Sequence, residues 1–298
     1  MQKKQNKLLI VFFYKYEPSK MKKAFLFLFL LVPFFNLFAQ HKHKTTEQNK
    51  KYPIKFFENK NQWDEVVKYR AELPGGYLFL RENELQYSFY DIEKLDELRP
   101  VHGATQNHQQ DKIVTKDAII KAHSYLIEFI GANPKPKLIP TNTFSGKHHY
   151  YLGNDKSKWA SNVKTFAQIT YQNLYDNIDM KLYATESNFK YEFLLDADTD
   201  PSIIRMNYTY AEKISIEHDN LIVKTSVNEV IELKPYSYQV IDGEKVEITS
   251  KFVVEDKQVY FEFPEGYNEN LPLVIDPDLV FATYSGSNSP NFGNSATY

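Results

Sequence analysis

The stretch DADTDP places carboxylates at Asp196, Asp198 and Asp200, alternate positions of one short turn. A calcium loop gathers hard oxygen ligands in this way, from several carboxylates on one tight bend. The pattern then departs from such a loop, with Pro201 at the sixth position in place of Gly and Asn207 at the twelfth in place of a bidentate Glu. The alternative reading is an acidic turn that leaves a strand, one Asp capping the bend. His148 and His149 are adjacent, and neighbours on a strand point to opposite faces, so a regular strand cannot aim both at one ion. Trp63 (in ENKNQW) and Trp159 (in SKWASN) are the only tryptophans. Exposed, they would stack on sugars. Buried, they would pin loops to a sheet, which is the expected role, because Trp is usually largely buried.

The motifs for nucleophilic, nucleotide or zinc chemistry are missing: the chain has no GxSxG, GxGxxG, phosphate loop or HExxH. Asp and Glu are plentiful enough for a glycosidase pair, but no two stand out. The sequence therefore assigns no catalytic residue and no cofactor. It also contains no cysteine, which excludes disulfides, Cys-ligated zinc and thiol nucleophiles together.

The elements that must position any site are strands. The chain of 298 residues is 42% hydrophobic and 15% aromatic, enough to build a core. GYLFLRENELQYSFYD reads as two strands about a turn at Glu82 and Asn83, followed by one or two helical turns over residues 91–98, which end before Pro100. Residues 102–112 read as an exposed loop, and residues 123–131 as a strand. MKLYA and FKYEFLL read as a hairpin about residues 186–188, with Phe189, Tyr191 and Phe193 on one face and Lys190 and Glu192 on the other. Eight further short runs between residues 203 and 263 alternate with turn signals at 218–220, 242–243 and 255–257. The expected fold is mainly β, an antiparallel sandwich-like domain with few short helices.

The N-terminal residues have a different character. Lys22 and Lys23 precede an apolar run over residues 24–35 and a small residue, Ala39, an arrangement that reads as a secretory signal peptide over residues 21–39. The run is shorter than the roughly 20 apolar residues of a spanning helix and contains Pro33, so no membrane span is expected after cleavage. Residues 1–20 are read as a misassigned upstream extension and residues 40–52 as a flexible lead-in. Loss of residues 1–39 removes seven Lys and one Glu, and the formal charge moves from −2 to −8. An acidic chain has no electrostatic grip on phosphate backbones, so nucleic acid is excluded as a partner.

Several blocks, in order, resemble a domain of unknown function from Bacteroidota: ENKNQW, YYLGNDKSKWASNV, YQNLYDNIDMKLYATESNFKYEF, ADTDPSIIRMNY, IELKPYSYQVIDG and PLVIDP. That family usually carries Gly where this chain has Asn61, and often another near the DADTDP turn. The resemblance implies a layout in which signal peptide and β domain (residues 53–276) precede β-propeller-type repeats and a type IX sorting domain. Residues 277–298 would then open a truncated first repeat, and the strand at 279–284 would lack a partner in this domain. The implied function is a non-enzymatic extracellular module that caps or orients the downstream repeats, in the service of adhesion or gliding motility. The alternative is carbohydrate binding or processing, in a groove lined by Trp63 or Trp159 with paired carboxylates. Partners are then the downstream repeats of the same polypeptide, with surface glycans or proteins.

Overall fold

The computed structural model describes residues 54–98, 119–184 and 189–282. The expectations for the upstream extension, signal peptide and lead-in, for the loop at 102–112, for the turn at 186–188 and for residues 283–298 lie outside the described residues.

Strand formation follows the period-2 alternation of apolar and polar side chains. The first strands form a meander: β1 (Phe56–Glu58), β2 (Tyr69–Leu73), β3 (Gly76–Leu80), β4 (Glu84–Tyr90) and β5 (Ala122–Phe129), with the helix α1 (Ile92–Leu98) between the last two strands. Each pairs antiparallel with the next. In β4, Leu85, Tyr87 and Phe89 are buried while Gln86 and Ser88 are half-exposed. Then come β6 (Lys137–Thr143), the separate two-stranded ribbon β7 (His148–Tyr150) and β8 (Ala160–Val163), and the long β9 (Thr165–Tyr175). β10 (Ile178–Ala184) and β11 (Phe189–Leu195) form the expected hairpin, with Phe189, Tyr191 and Phe193 buried.

β12 (Met206–Thr209), β13 (Lys213–Glu217), β14 (Asn220–Lys224), β15 (Glu229–Glu232), β16 (Tyr236–Ile241), β17 (Glu244–Ile248), β18 (Lys251–Glu255), β19 (Gln258–Glu262), β20 (Leu273–Asp276) and β21 (Asp278–Ala282) complete the described strands. Two of their turns have successive positive φ values, His218 and Asp219 (52° and 65°) and Asp242 and Gly243 (53° and 87°). This is the mark of the tight hairpin turn whose twist matches the flanking strands. The run from residue 203 starts as a strand only at Met206, because Asp200 and Pro201 first set a 3-10 turn over Pro201–Ile203.

The pairings curl one antiparallel sheet nearly closed upon itself. β9 carries β6 on one edge and both β1 and β10 on the other. From β1 the sheet runs through the meander to β5, then β12, β19 and β18. From β10 it runs through β11 to β20 and β21. There it forks, to β16 and β17 on one branch and to β15, β14 and β13 on the other. β13 lies against β18, which brings the two ends together. The mainly antiparallel β fold is as expected, and its facing layers are walls of one sheet.

The interior is filled with aromatic side chains. Tyr87, Tyr125, Tyr171, Tyr208, Phe56, Phe89, Phe189 and Phe193 are all fully buried. Each side chain of this size contributes about 2 kcal/mol on burial. Leu279 of β21 belongs to this core and is 1% exposed. The expectation that the strand from residue 279 lacks a partner here is corrected: β21 pairs with β11 on one edge and with β15 on the other. Among the described residues no helix is long and apolar enough to cross a membrane.

Candidate functional site

The fold brings four groups of reactive side chains together, and their contacts determine what each can do. The innermost is built on Glu232, a carboxylate 0% exposed at the end of β15. Its Oε2 accepts the Tyr191 hydroxyl at 2.6 Å, and its Oε1 accepts that of Tyr208 at 2.8 Å. Tyr87, Tyr125 and Tyr208 stand on neighbouring strands as a stack of rings, with centroids 5.1 and 6.2 Å apart. The hydroxyls of Tyr87 and Tyr125 are buried beside this carboxyl and have no hydrogen-bond partner among the described residues. Burial pushes the Glu232 carboxyl above its usual range, and the two phenol bonds only partly oppose that. Closed off from solvent, the group serves as a polar clasp in the core.

The second group lies on the outer face of β10, β11, β20 and β21. The Glu192 carboxylate accepts the Tyr183 hydroxyl at 2.5 Å and the Lys181 ammonium at 2.9 Å. Lys190 reaches Asp276 at 3.5 Å and Asp278 at 2.6 Å. Desolvation, opposed by Lys190 and aided by the Glu192 and Asp278 charges, pushes the Asp276 carboxyl up to about 6. Three carboxylates on one face satisfy the composition of a glycosidase site. Each, however, already contacts an ammonium, which makes the cluster a charge network instead of a free acid and base.

A cleft of about 440 Å³ lies beside the start of α1, lined among others by Tyr90, Asp91, Glu212, Lys224, Ser226 and Asn228. Ser226 Oγ stands 3.0 Å from Nδ1 of His123, whose Nε2 is 2.9 Å from the Tyr210 carbonyl. The carbonyl can only accept, so Nε2 carries the proton and Nδ1 is the acceptor. The order serine, imidazole, orienting group is that of an activated nucleophile. The neighbouring backbone donors are spent, however. The N–H of Ser226 goes to the same Nδ1, and those of Val227 and Asn228 go to Thr225 Oγ1. With no amide left beside the hydroxyl to hold an oxyanion, the arrangement pins the turn at 225–228 and holds Tyr210, whose φ is 70°.

The fourth group contains the two tryptophans. The β7–β8 ribbon separates them, because Tyr150 and Tyr151 point to opposite faces. On the inner side Trp63 packs edge-on to Tyr150, with ring centroids 5.5 Å apart. Arg70, 7% exposed, lies over both the Trp63 ring (4.4 Å) and the Tyr77 ring (4.6 Å). Trp63 is thus a loop anchor. On the outer side Trp159 is 38% exposed and meets Tyr151 edge-on at 5.5 Å. The two indoles thus pack against different tyrosines of the ribbon. His148 and His149 diverge likewise, the first against Phe57 and the second against Tyr151.

Asp196, Asp198 and Asp200 are exposed, and among the described residues no three His, Asp or Glu side chains converge to hold a metal. Asp200 is the capping residue of the bend, with one oxygen accepting Ser202 N–H at 2.8 Å and the other its hydroxyl at 2.6 Å. Those bonds draw its carboxyl below the ordinary value. Asn61 at φ 80° and Asp198 at φ 59° both lie in left-handed backbone. Asn and Asp tolerate that conformation best after Gly.

Sequence reading assigned no role to Glu232, His123 or Ser226, whose partners lie 24 to 103 residues away in the chain. The only available signal was a charged residue inside the apolar run VIEL. Neither a curated protein nor a solved structure matches the chain. Residues 56–278 match the family described as "Domain of unknown function (DUF7948)", and the chain belongs to that family.

Proposed function

We propose that this domain is a non-enzymatic β module of a longer exported polypeptide, in which it holds and orients the segment that follows residue 282. The observation that carries the reading is the place of β20 and β21 in the sheet. Both strands are hydrogen-bonded on both edges, to β11 on one side and to β16 and β15 on the other. The chain therefore reaches residue 282 still paired with β15. A following segment is attached to a rigid base, since several ladders must break before the strand can move. Following repeats of the propeller type, a surface location and a role in adhesion or gliding fit the resemblance and the leader-like residues 21–39.

The test uses the full native polypeptide with and without residues 54–282. With the domain present, the following segment is expected to melt cooperatively with it and to be cleaved when intact cells are treated with protease. Without it, that segment is expected to aggregate or melt several degrees lower. A following segment that melts unchanged in the absence of the domain, or a protein that surface protease never reaches, overturns the reading. A second reading, carbohydrate recognition, is favoured by one observation, the exposed Trp159 and Tyr151 pair.

A further inference from the structure

The segment from residue 151 to residue 159 is exposed at every position, and it carries Tyr151 (56% exposed), Leu152 (54%) and Trp159 (38%) within nine residues. Its rings are fixed in place. Tyr151 and Trp159 follow and precede the paired positions Tyr150 and Ala160, so the ribbon sets their edge-to-face contact. The Tyr151 hydroxyl lies 2.8 Å from Ser161 Oγ, and its ring stacks on His149. The Trp159 indole N–H donates to the Gly153 carbonyl at 3.3 Å. Asn61 Nδ2 bonds the Ser157 carbonyl at 2.7 Å and ties the segment to the loop after β1.

The charge of this corner is opposite in sign to that of the chain. Residues 147–164 hold Lys147, Lys156, Lys158 and Lys164 against one acid, Asp155, in a protein of net charge −2. All four lysines are exposed, and Lys156 stands over the Trp159 ring at 5.7 Å. Asp155 is occupied, its Oδ1 accepting both the N–H and the hydroxyl of Ser157. Nearby Glu58 pairs with Lys60 and accepts the Lys164 N–H.

We infer that the Tyr151–Trp159 corner is a binding surface for an anionic polysaccharide. Sugar rings would pack against the exposed parts of Tyr151 and Trp159, and uronate carboxylates would meet Lys156 and Lys158. The inference rests on the carbohydrate-recognition reading and is independent of the anchoring role. Sugar packing requires aromatic rings held in place at the surface, and here both rings are tied at their polar ends. Binding to a lipid layer scales with the apolar area it buries, and this segment offers only Tyr151, Leu152 and Trp159. An acidic protein that retains lysines around exposed aromatic rings selects a ligand of negative charge.

The experiment titrates the purified chain with alginate oligosaccharide, neutral dextran and phosphatidylserine vesicles, following tryptophan fluorescence. The chain holds only Trp63 and Trp159, so Trp159→Phe and Trp63→Phe assign any change to one indole. Alginate is expected to change the emission of Trp159 alone. Its affinity should fall at least tenfold in Trp159→Ala and in the Lys156→Glu/Lys158→Glu variant, and should weaken as salt rises, with melting temperatures unchanged. Binding of dextran but not alginate overturns the anionic specificity and leaves carbohydrate recognition standing. Binding of neither polysaccharide overturns both. Vesicle binding without alginate binding, or alginate binding that Trp159→Ala leaves intact, also overturns the inference.

Discussion

Tyr208 on β12 and Glu232 on β15 stand on opposite walls of the sheet and are joined across its interior by a 2.8 Å hydrogen bond. Tyr191, from the wall of Glu232, closes the clasp at 2.6 Å. Strands can slide or re-pair where only apolar side chains face each other. A buried carboxyl bonded to two phenol hydroxyls favours a single arrangement, because any other leaves a buried polar group without partners.

This clasp makes a signed prediction. Tyr208→Phe should cost about 1–3 kcal/mol, the usual effect of leaving a buried polar group without its partner. Burial raises the Glu232 carboxyl, so the folded chain holds that proton more tightly than the unfolded chain. Its contribution is therefore most favourable below the ordinary carboxylate range and declines as pH rises through the raised folded value. Glu232→Gln should match the wild type near pH 4 and equal or exceed it at pH 8. Urea midpoints measured across that range decide it. A glutamine variant that falls progressively below the wild type as pH rises would show that the ionised carboxylate is the stabilising form.

Asp276 should leave its mark in a narrower window. Its carboxyl rises from 3.8 to about 6, and its side chain is 13% exposed. Stability should therefore fall as pH rises from about 4 to about 6, where the folded chain gives up a proton that the unfolded chain has already lost. Asp276→Asn should flatten that part of the profile and leave Lys190 paired with Asp278. An unchanged slope in the variant assigns the titration to another group.

The sequence made the strands legible where one face is plainly apolar. FKYEF on β11 shows its inward residues directly, and both tight turns announce themselves through Asp and Gly. β9 is less legible, because Asn173 (φ 52°) interrupts its alternation and the pairing with β10 shifts between Ile178 and Met180. The polar groups were hidden for another reason. In VIEL, Glu232 shares a face with Val230, and nothing local says that this face turns inward. The approach of Ser226 to His123 spans 103 residues and exists only once β5 has been brought beside the turn at 225–228. Trp63 and Trp159 look alike in sequence, and only the two faces of the β7–β8 ribbon tell them apart.

The integration of β21 can be tested at one side chain. Leu279 is 1% exposed, and its strand pairs on both edges. Leu279→Ala should lower the stability of the domain by about 2–5 kcal/mol, the range for a buried leucine truncated in a packed core. Val280, 39% exposed on the other face, is the control, and Val280→Thr should shift the midpoint little. Equal midpoints for the leucine variant and the wild type would place the strand outside the cooperative unit.

Gly76 offers a test of how tightly the meander packs. It begins β3 opposite Phe89 of β4. A Cβ built there would stand 2.0 Å from the Ser88 carbonyl oxygen and 2.9 Å from the Phe89 ring. The first contact is with backbone, so relief requires β3 and β4 to separate, and Phe89 is part of the buried core. Gly76→Ala should therefore destabilise by roughly 3 kcal/mol, at the upper end for an overpacked site, although alanine is otherwise better suited than glycine to ordered backbone. Gly146→Ala is the matched control, since a Cβ there meets nothing within 4 Å and φ is not positive. That change should be neutral or slightly stabilising through the unfolded chain. Chemical denaturation of the two variants separates steric cost from backbone entropy, and similar midpoints for both would refute the close approach of β3 to β4.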